Sequence, residues 1–475
     1  MHLNRPILKR MFNKSLVFAI VFTFVAGISP ALNAQVLTLK QAVQTALNNY
    51  GTIKAKTNYV SASKALVKES SKEALPDLNI SAQQDFGTIN GSNGPLSGFK
   101  GLSTASSGPA LSSTSWNAAF GALYLANINW DFYSFGKAKE RVKVSASQLS
   151  LDESDLEQEK FQQQVRVAAA YLNLLAAQRL TKSQQDNLTR ASALRNVVVA
   201  RAKNGLNAGV DSSLANAEVS NAKIVLLRAK DYEQEQASQL AVLMGVANSD
   251  FILDTVFVTR VPASTYDSAQ IIQNHPLLQF YHNRITLSDE RAKYIHTFNY
   301  PTFSAFGILQ GRGSGFDYNY SAANPGAYTQ NYFTGINPVR ANYLFGVGVV
   351  WNLTSPLRVQ QQELAQKFIS KGLQDEYSLV NQQLVNQLAL ASSKMKNAVA
   401  AYIEAPVQIK AAGDAYLQKT VLYKNGLSNI VDVTQALFAL NRAETDRDIA
   451  YNNVWEALLL KAAAAGDFGI LINEF

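Results

Sequence analysis

The sequence of 475 residues contains no cysteine and only four histidines. Without cysteine there can be no disulfide, no thiolate metal site and no cysteine to carry a lipid after an export signal. The histidines outside the first segment are His275, His282 and His296, and they lack the close spacing of a metal-binding pair. Neither a glycine-rich phosphate loop nor a nucleophile elbow is present. We therefore predict no catalytic centre, no metal site and no cofactor.

Charge is also scarce, because charged residues make up 16% of the chain against about 25% in ordinary soluble domains. The formal net charge is +8. Four of the basic residues lie in the first segment: Arg5, Lys9, Arg10 and Lys14. Without them the net charge is about +4. The basic balance therefore indicates no nucleic-acid partner.

Long apolar runs are missing after the N-terminus, where none approaches the ~20 residues that a membrane helix needs. The single apolar stretch, residues 16–28, follows the basic residues and precedes Ala31 to Ala34. This layout predicts a cleaved export signal over residues 1–34. The mature chain is thus expected to be exported, and it is not expected to be a helical membrane protein.

Glycine and proline are both absent from residues 137–204. A continuous helix over this range would be about 100 Å long, and its apolar residues follow the spacing of coiled coils. After a break at Gly205 to Gly209, a returning helix is predicted from about 211 to 244. Residues 357–425 and 432–465 repeat this pattern. Within the second copy, three residues suggest bends: Gly372, Pro406 and Gly413.

The second half of the chain repeats the first. Lys203-Asn204-Gly205-Leu206 recurs 221 residues later (424 − 203) as Lys424-Asn425-Gly426-Leu427. The same shift relates Trp130 to Trp351, Asp211 to Asp432 and Gly245 to Gly466. We therefore predict two structural repeats, residues 35–250 and 251–475, each with a short helix, two strands and a long helix hairpin.

Period-two alternation predicts four strands, at about 76–87, 117–133, 300–311 and 342–354. Each strand has one apolar face, and aromatic residues cluster near the strand ends, as in the girdles of outer-membrane barrels. The residues predicted to face lipid are Trp130, Tyr343, Phe345, Val347, Val349 and Trp351. Alternation alone is equally consistent with a soluble sheet that has one wet face.

Four strands cannot close a membrane barrel, because the smallest such barrels have about eight. An open sheet in lipid would leave its edge amides unsatisfied. If the strands lie in a membrane, several chains must share one barrel, and three chains would supply about twelve strands.

The chain resembles the TolC-like outer-membrane efflux proteins over nearly all of its predicted mature length. The shared features include Asn-His-Pro-Leu-Leu from Asn274, Asn-Trp-Asp-Phe from Asn129, and the stretch from Tyr423 to Gly466. The resemblance implies a mainly α fold with a small β-barrel contribution. It also implies a homotrimer with a twelve-stranded barrel in the outer membrane and a helical tunnel that extends into the periplasm. Its partners would be outer-membrane lipid, a periplasmic adaptor and an inner-membrane pump of the RND or ABC type.

The resemblance also implies roles for residues at the two hairpin turns. The turns would contact the adaptor through Gly205, Leu206, Gly426 and Leu427. Asp211 and Tyr423 match the family's gate, although Ser428 stands where the family has an arginine. Asp432 matches one aspartate of the constriction ring, and Gln435 replaces the other. The spacing of Asp432 and Gln435 also fits a helix capping box, with Asp432 as the cap.

Two other classes of function remain to be compared with the exit duct. An enzyme is disfavoured by the absence of catalytic motifs. A soluble periplasmic coiled-coil scaffold would explain the long helices, but it would not explain two copies of an aromatic-ended strand pair. The sequence leaves the cargo open among drugs, metals and proteins.

Overall fold

The computed structural model describes residues 36–91, 108, 110–206, 208–248, 250–255, 261–262 and 274–474. Over these residues the chain is mainly helical, and its strands form one four-stranded sheet. The predicted export signal, residues 1–34, lies outside the described residues and stays a prediction. The same holds for parts of the loop after the first strand and of the linker between the repeats.

The first repeat contains four helices and two strands. In chain order they are α1 Leu39–Asn49, α2 Gly51–Lys72, β1 Asp77–Thr88, β2 Ala118–Tyr133, α3 Lys137–Lys203 and α4 Gly209–Met244.

From the helix that precedes its first strand onward, the second repeat follows the same order, with one short helix added between the strands and another at the end. Its elements are α5 Pro276–His296, a 3₁₀ turn Thr297–Asn299, β3 Thr302–Ser314, α6 Tyr332–Ile336, β4 Arg340–Val350, α7 Ser355–Lys424, α8 Ile430–Ala465 and α9 Gly469–Ile472.

The two long helices, α3 and α7, contain 67 and 70 residues. Each is therefore roughly 100 Å long. The predicted helix over 137–204 is confirmed: α3 begins at the predicted residue and ends one residue earlier than predicted. Helix α7 runs unbroken through Gly372, Pro406 and Gly413, although Pro406 cannot donate a backbone hydrogen bond.

The returning helices α4 and α8 have 36 residues each, about 54 Å, so they cover only part of the long helices. Beyond the end of each returning helix, a short helix of the same repeat, α2 or α5, packs along the rest of the long helix. Gly245, which ends α4, lies against Asn49 at the entrance to α2, and Gly466, which ends α8, lies against His275 at the entrance to α5. Each long helix is thus paired with two shorter helices placed end to end.

These two junction glycines both have positive φ angles, 67° at Gly245 and 75° at Gly466. A β-carbon at Gly466 would lie 2.7 Å from the His275 ring. Glycine is required there for both reasons. The contact pairs are equivalent in the two repeats, so the duplication in sequence is also a duplication in packing.

The sheet is antiparallel, with the strands in chain order. Its register places apolar residues of all four strands on one face, which we call the apolar face. One row joins Leu78, Ile128, Gly307 and Phe345, and the next joins Ile80, Ala126, Leu309 and Tyr343. We call the opposite side the polar face, where Asn79 pairs with Asn127 and Gln310 with Asn342.

The fourth strand ends earlier than predicted, at Val350 rather than 354. Trp351 therefore lies beyond the strand, where its indole nitrogen donates a hydrogen bond to the Asn299 carbonyl at 3.1 Å. The Trp130 indole makes the equivalent bond to the Ala74 carbonyl at 2.9 Å. Each tryptophan ties the sheet to the end of the preceding helical segment. The fourth strand ends at Val350 because Val350 pairs with Thr302, the first residue of β3.

The largest apolar core lies where α1, α3, α4, α7, α8 and α9 meet. Trp455 and Tyr171 are its largest buried side chains. The Tyr171 hydroxyl donates to the Leu37 carbonyl at 2.8 Å, and burial raises the pKa of this phenol. A smaller core lies close to the hairpin turns. The molecule is therefore packed at its middle and at its helical end, with the sheet at the opposite end.

Candidate functional site

The hairpin turns are the first part of the candidate site, and they have the same backbone geometry. Gly205 and Gly426 have φ angles of 73° and 78°. In the first turn the Leu206 amide bonds to the Arg201 carbonyl, and in the second the Leu427 amide bonds to the Leu422 carbonyl, both at 2.9 Å. These are the bonds of a Schellman motif, in which the left-handed position favours glycine.

Both turns present apolar side chains to solvent. Leu206 is 66% exposed and Leu427 is 74% exposed. The first turns of α4 and α8 add Val210 and Val431, which are also exposed. Two equivalent pairs of apolar side chains are thus exposed at the helical end of the chain. Exposed apolar patches of this kind are typical of surfaces that contact another protein.

Asp432 lies in the first turn of α8 and is held by polar contacts. Its carboxylate accepts hydrogen bonds from Lys419 at 3.1 Å and from the Ser428 hydroxyl at 2.9 Å. These hydrogen bonds, that of Lys419 first, lower the pKa of Asp432. Asp432 is therefore negatively charged at neutral pH.

The predicted capping role of Asp432 is wrong, because α8 begins two residues earlier than expected. The N-cap is Asn429, whose side chain accepts a hydrogen bond from the Asp432 backbone amide at 2.9 Å. Asp432 is thus the third residue of the helix. Asp211 lies at the equivalent position of α4, where a carboxylate interacts favourably with the helix dipole.

Tyr423 lies inside the protomer rather than at its surface, with 1% of its area exposed. It packs with Leu194 and Val198 of α3, with Ala215 of α4, and with Ile430 and Val433 of α8. The tyrosine therefore belongs to the core that joins the two hairpins near their turns.

Arg201, which the sequence reasoning missed, connects the two hairpin turns. Its guanidinium donates to the Lys424 carbonyl at 2.7 Å and lies 5.4 Å from the centre of the Tyr423 ring. Lys419 was also missed. Both residues could have been found from the sequence, because each is a basic residue within one or two turns of the end of a long helix. From there its side chain can reach the last carbonyl groups of a helix or the start of the next helix.

A second connection between the hairpins lies farther from the turns. Arg190 of α3 forms two hydrogen bonds with Glu444 of α8, at 3.1 and 2.6 Å. The bidentate ion pair and the Arg201 contact thus add to the apolar core that joins the hairpins. Of these two, only the Arg201 contact reaches the backbone of the opposite turn.

The sheet is the second part of the candidate site. Ile80 is 82% exposed, Tyr343 is 77% exposed and Val347 is 69% exposed, all on the apolar face. Phe345 and Trp130 are also exposed there, and Val349 pairs with Phe303 at the end nearest the helices. No described helix is long and apolar enough to cross a membrane.

Residues 42–246 match the family described as Outer membrane efflux protein. Three solved structures have the same fold over 90% of this chain. They are the outer membrane protein VceC from Vibrio cholerae (TM-score 0.69, 14% identity, 96% of that chain), the CmeC outer membrane channel from Campylobacter jejuni (0.71, 15%, 85%) and the open state of the MtrE outer membrane channel from Neisseria gonorrhoeae (0.69, 14%, 89%). No curated protein matches the chain.

The fold, with its sheet at one end and long helix hairpins at the other, is that of the outer membrane channel proteins. The chain thus resembles the TolC-like outer membrane efflux proteins in the sequence of residues 42–246 and in its fold. These similarities support an efflux duct of the outer membrane that extends into the periplasm, and they do not support the soluble scaffold.

Proposed function

We propose that three copies of the chain form one passive exit duct, which a periplasmic adaptor and an inner-membrane pump of the RND or ABC type open and energise. The observation that carries this proposal is the sheet: four strands with a continuous, exposed apolar face that run directly into helices of about 100 Å. The duct itself performs no chemistry.

The two edge strands of the sheet, β1 and β4, need hydrogen-bond partners, which further copies of the chain would supply. Among the described residues, none pairs with the outer edge of β1 or of β4. In lipid, each unsatisfied amide or carbonyl group would cost several kcal/mol. Pairing β1 of one copy with β4 of the next satisfies both edges, and three copies give a barrel of about twelve strands.

The long helix α7 supports the same arrangement. Several large apolar side chains along it are exposed in the single chain, among them Leu357, Leu364, Phe368, Ile403, Val407 and Leu417. Burying such side chains stabilises an assembly by about 1.5–3 kcal/mol each. A neighbouring copy would cover them while the helices of three chains close the tunnel.

The hairpin turns supply the proposed gate and the proposed docking surface. Asp432, fixed by Lys419 and Ser428, would place three carboxylates around the narrow end of a threefold tunnel and favour cations there. Asp211 has the equivalent place on α4, and Tyr423 with Arg201 holds the two turns together. Leu206 and Leu427, beside Gly205 and Gly426, would meet the adaptor.

Electron microscopy of the detergent-extracted protein from the outer-membrane fraction tests the proposal. We expect a threefold particle with a hollow stem on the order of 100 Å, since that is the length of α3 and α7. A solid rod, or a monodisperse monomer under conditions that preserve outer-membrane channels, would contradict the shared barrel.

A further inference from the structure

The segment between β3 and β4 folds back onto the apolar face of the sheet. Directly after the end of β3, the Gly315 amide donates a hydrogen bond to the Phe120 carbonyl at 2.8 Å. The Thr329 amide donates to the Gly315 carbonyl at 2.7 Å. The segment returns to the sheet where the Val339 amide bonds to the Arg312 carbonyl at 2.9 Å. We call residues 329–339 the outer clasp; it includes α6.

Glycines in β3 and just after it let the outer clasp approach the sheet backbone. A β-carbon at Gly313 would lie 2.6 Å from the Gly335 carbonyl oxygen, and one at Gly315 would lie 2.5 Å from the Thr329 carbonyl oxygen. Gly313 pairs with Ala122, which lies on the apolar face. The clasp therefore covers the apolar face at the end of the sheet farthest from the helices.

Polar contacts fasten the clasp in this position. The Tyr124 hydroxyl donates to the Ile336 carbonyl at 3.1 Å, and the Tyr332 hydroxyl donates to the Gln84 side chain at 2.8 Å. Gln84 is a polar residue on the apolar side of β1, in register with Ala122. The clasp thus supplies the hydrogen-bond partner of a polar group that faces the same way as the lipid-facing residues.

The outward side of the clasp is apolar and uncharged. Phe333 is 75% exposed, and Val339 and Tyr332 are also exposed. From Tyr318 to Val339 the sequence contains no Asp, Glu, Lys or Arg. An exposed loop in water usually carries charge, whereas aromatic and uncharged polar residues are typical of the boundary between lipid headgroups and acyl chains.

We propose that the outer clasp is a membrane anchor whose occupant is the lipid of the outer leaflet, at the boundary of headgroups and acyl chains. The argument for lipid is continuity, because Pro338 of the clasp lies beside Gly311, the next position on the apolar face after Leu309. The proposal rests on the proposed function, in which the apolar face of the sheet contacts lipid. It adds that the second outer segment of each chain turns outward into the membrane and away from the duct.

Site-directed fluorescence tests the anchor, because the chain has no native cysteine to interfere. The full-length protein carrying Phe333→Cys, labelled with an environment-sensitive dye and reconstituted into phospholipid vesicles, should emit at shorter wavelength and be quenched by spin-labelled lipid. Tyr318→Cys, in the same loop and 93% exposed, should be quenched by aqueous iodide. Equal iodide quenching at both positions would overturn the anchor.

A third label separates this proposal from the proposed function. Val347→Cys reports on the apolar face of the sheet. If lipid quenches the label at 347 but not at 333, the anchor is wrong and the barrel assignment stands. If lipid quenches neither label, both are wrong.

Two glycine variants test whether docking of the clasp places Phe333 in lipid. Gly313→Val would collide with the clasp backbone and should shift the label at 333 towards iodide quenching. Gly87 lies in β1, and no atom is within 4 Å of a β-carbon added there. Gly87→Val should therefore leave the label at 333 protected from iodide. Protection that survives Gly313→Val would contradict the role of the clasp.

Discussion

Arg201 joins the first hairpin to the turn of the second, and we predict that it helps to keep the proposed gate closed. Arg201→Ala removes the hydrogen bond to the Lys424 carbonyl and the contact with the Tyr423 ring, a loss of about 1–2 kcal/mol. We expect a larger open probability for the variant channel in planar bilayers.

Arg195→Ala is the matched control, since Arg195 lies on the same helix but bonds to Asn216 of its own hairpin at 2.6 Å. Its conductance should remain like that of the unmodified channel. Equal behaviour of the two variants would show that Arg201 does not hold the turns together.

Asp432 gives a second prediction at the turns, in its effect on ion selectivity. Asp432→Asn removes the negative charge and keeps the size of the side chain, so three carboxylates leave the narrow end of the proposed tunnel. We expect lower cation selectivity, measured as a shift of the reversal potential in a salt gradient. An unchanged reversal potential would remove Asp432 from the constriction.

His275 makes the stability of the helix junction dependent on pH. Its Nδ1 accepts a hydrogen bond from the Leu277 amide, and its Nε2 donates to the Ala463 carbonyl, both at 3.1 Å. Only the neutral ring can do both. Burial lowers the pKa of His275, so the folded state binds fewer protons than the unfolded state. The stability that this residue contributes is complete above the ordinary histidine pKa of about 6.5 and is lost as pH falls through the lower folded value.

Thermal unfolding of the purified protein over a pH series checks this expectation. The midpoint should fall on acidification below about pH 6.5, and His275→Gln should show a smaller fall, because glutamine does not titrate. The same slope in both proteins would assign the acid sensitivity to other groups. His296→Gln is a suitable control, since His296 is partly exposed and bonds to Glu363.

The turns are the elements through which the duct is expected to reach its adaptor. Replacing Leu206 and Leu427 by aspartate leaves the backbone bonds of both Schellman motifs in place but puts charge on the exposed apolar surface. We expect loss of efflux-dependent resistance in cells, with the oligomer intact by size-exclusion chromatography. Resistance at the unmodified level would mean that the adaptor binds elsewhere.

Most elements could be predicted from the sequence because local patterns dominate them. The helix α3 follows from a long run without Gly or Pro, and the turns follow from glycines at their ends. The end of β4 and the N-cap Asn429 could not be predicted as well. β4 ends where its partner strand begins, since Val350 pairs with Thr302, the first residue of β3. At α8, Asn429 and Asp432 are both residue types that can cap a helix, and the cap is Asn429.

At the scale of the whole molecule, the orientation of the sheet can be tested with two neighbouring strand positions. Val347→Arg puts a charge on the apolar face, at a cost of about 2–4 kcal/mol in the middle of a membrane. Leu344→Arg puts the same charge on the polar face, at a position of similar exposure. We expect the first variant to fail to assemble in the outer-membrane fraction and the second to assemble. Assembly of both would contradict the assignment of the faces.

The duplication in the sequence also predicts the plan of the whole molecule, because equivalent residues make equivalent contacts. Trp130 and Trp351 bond to the same kind of partner, and Gly245 and Gly466 meet the same helix entrance. What differs between the repeats could not be predicted. The outer clasp and Arg201 each make contacts with residues distant in sequence. Among the described residues the first repeat has no counterpart of α6, and the second repeat has Leu422 where the first has Arg201.

The two outer edges of the sheet have a consequence for how the protein is made. In the proposed assembly, each chain presents two strand edges that no described residue of its own pairs with, beside a broad apolar face, until neighbouring copies cover them. Such a combination promotes aggregation. We therefore expect correct assembly to compete with aggregation in the last step of maturation. A periplasmic chaperone that shields the sheet, or rapid delivery to the membrane, would therefore raise the yield of the finished duct.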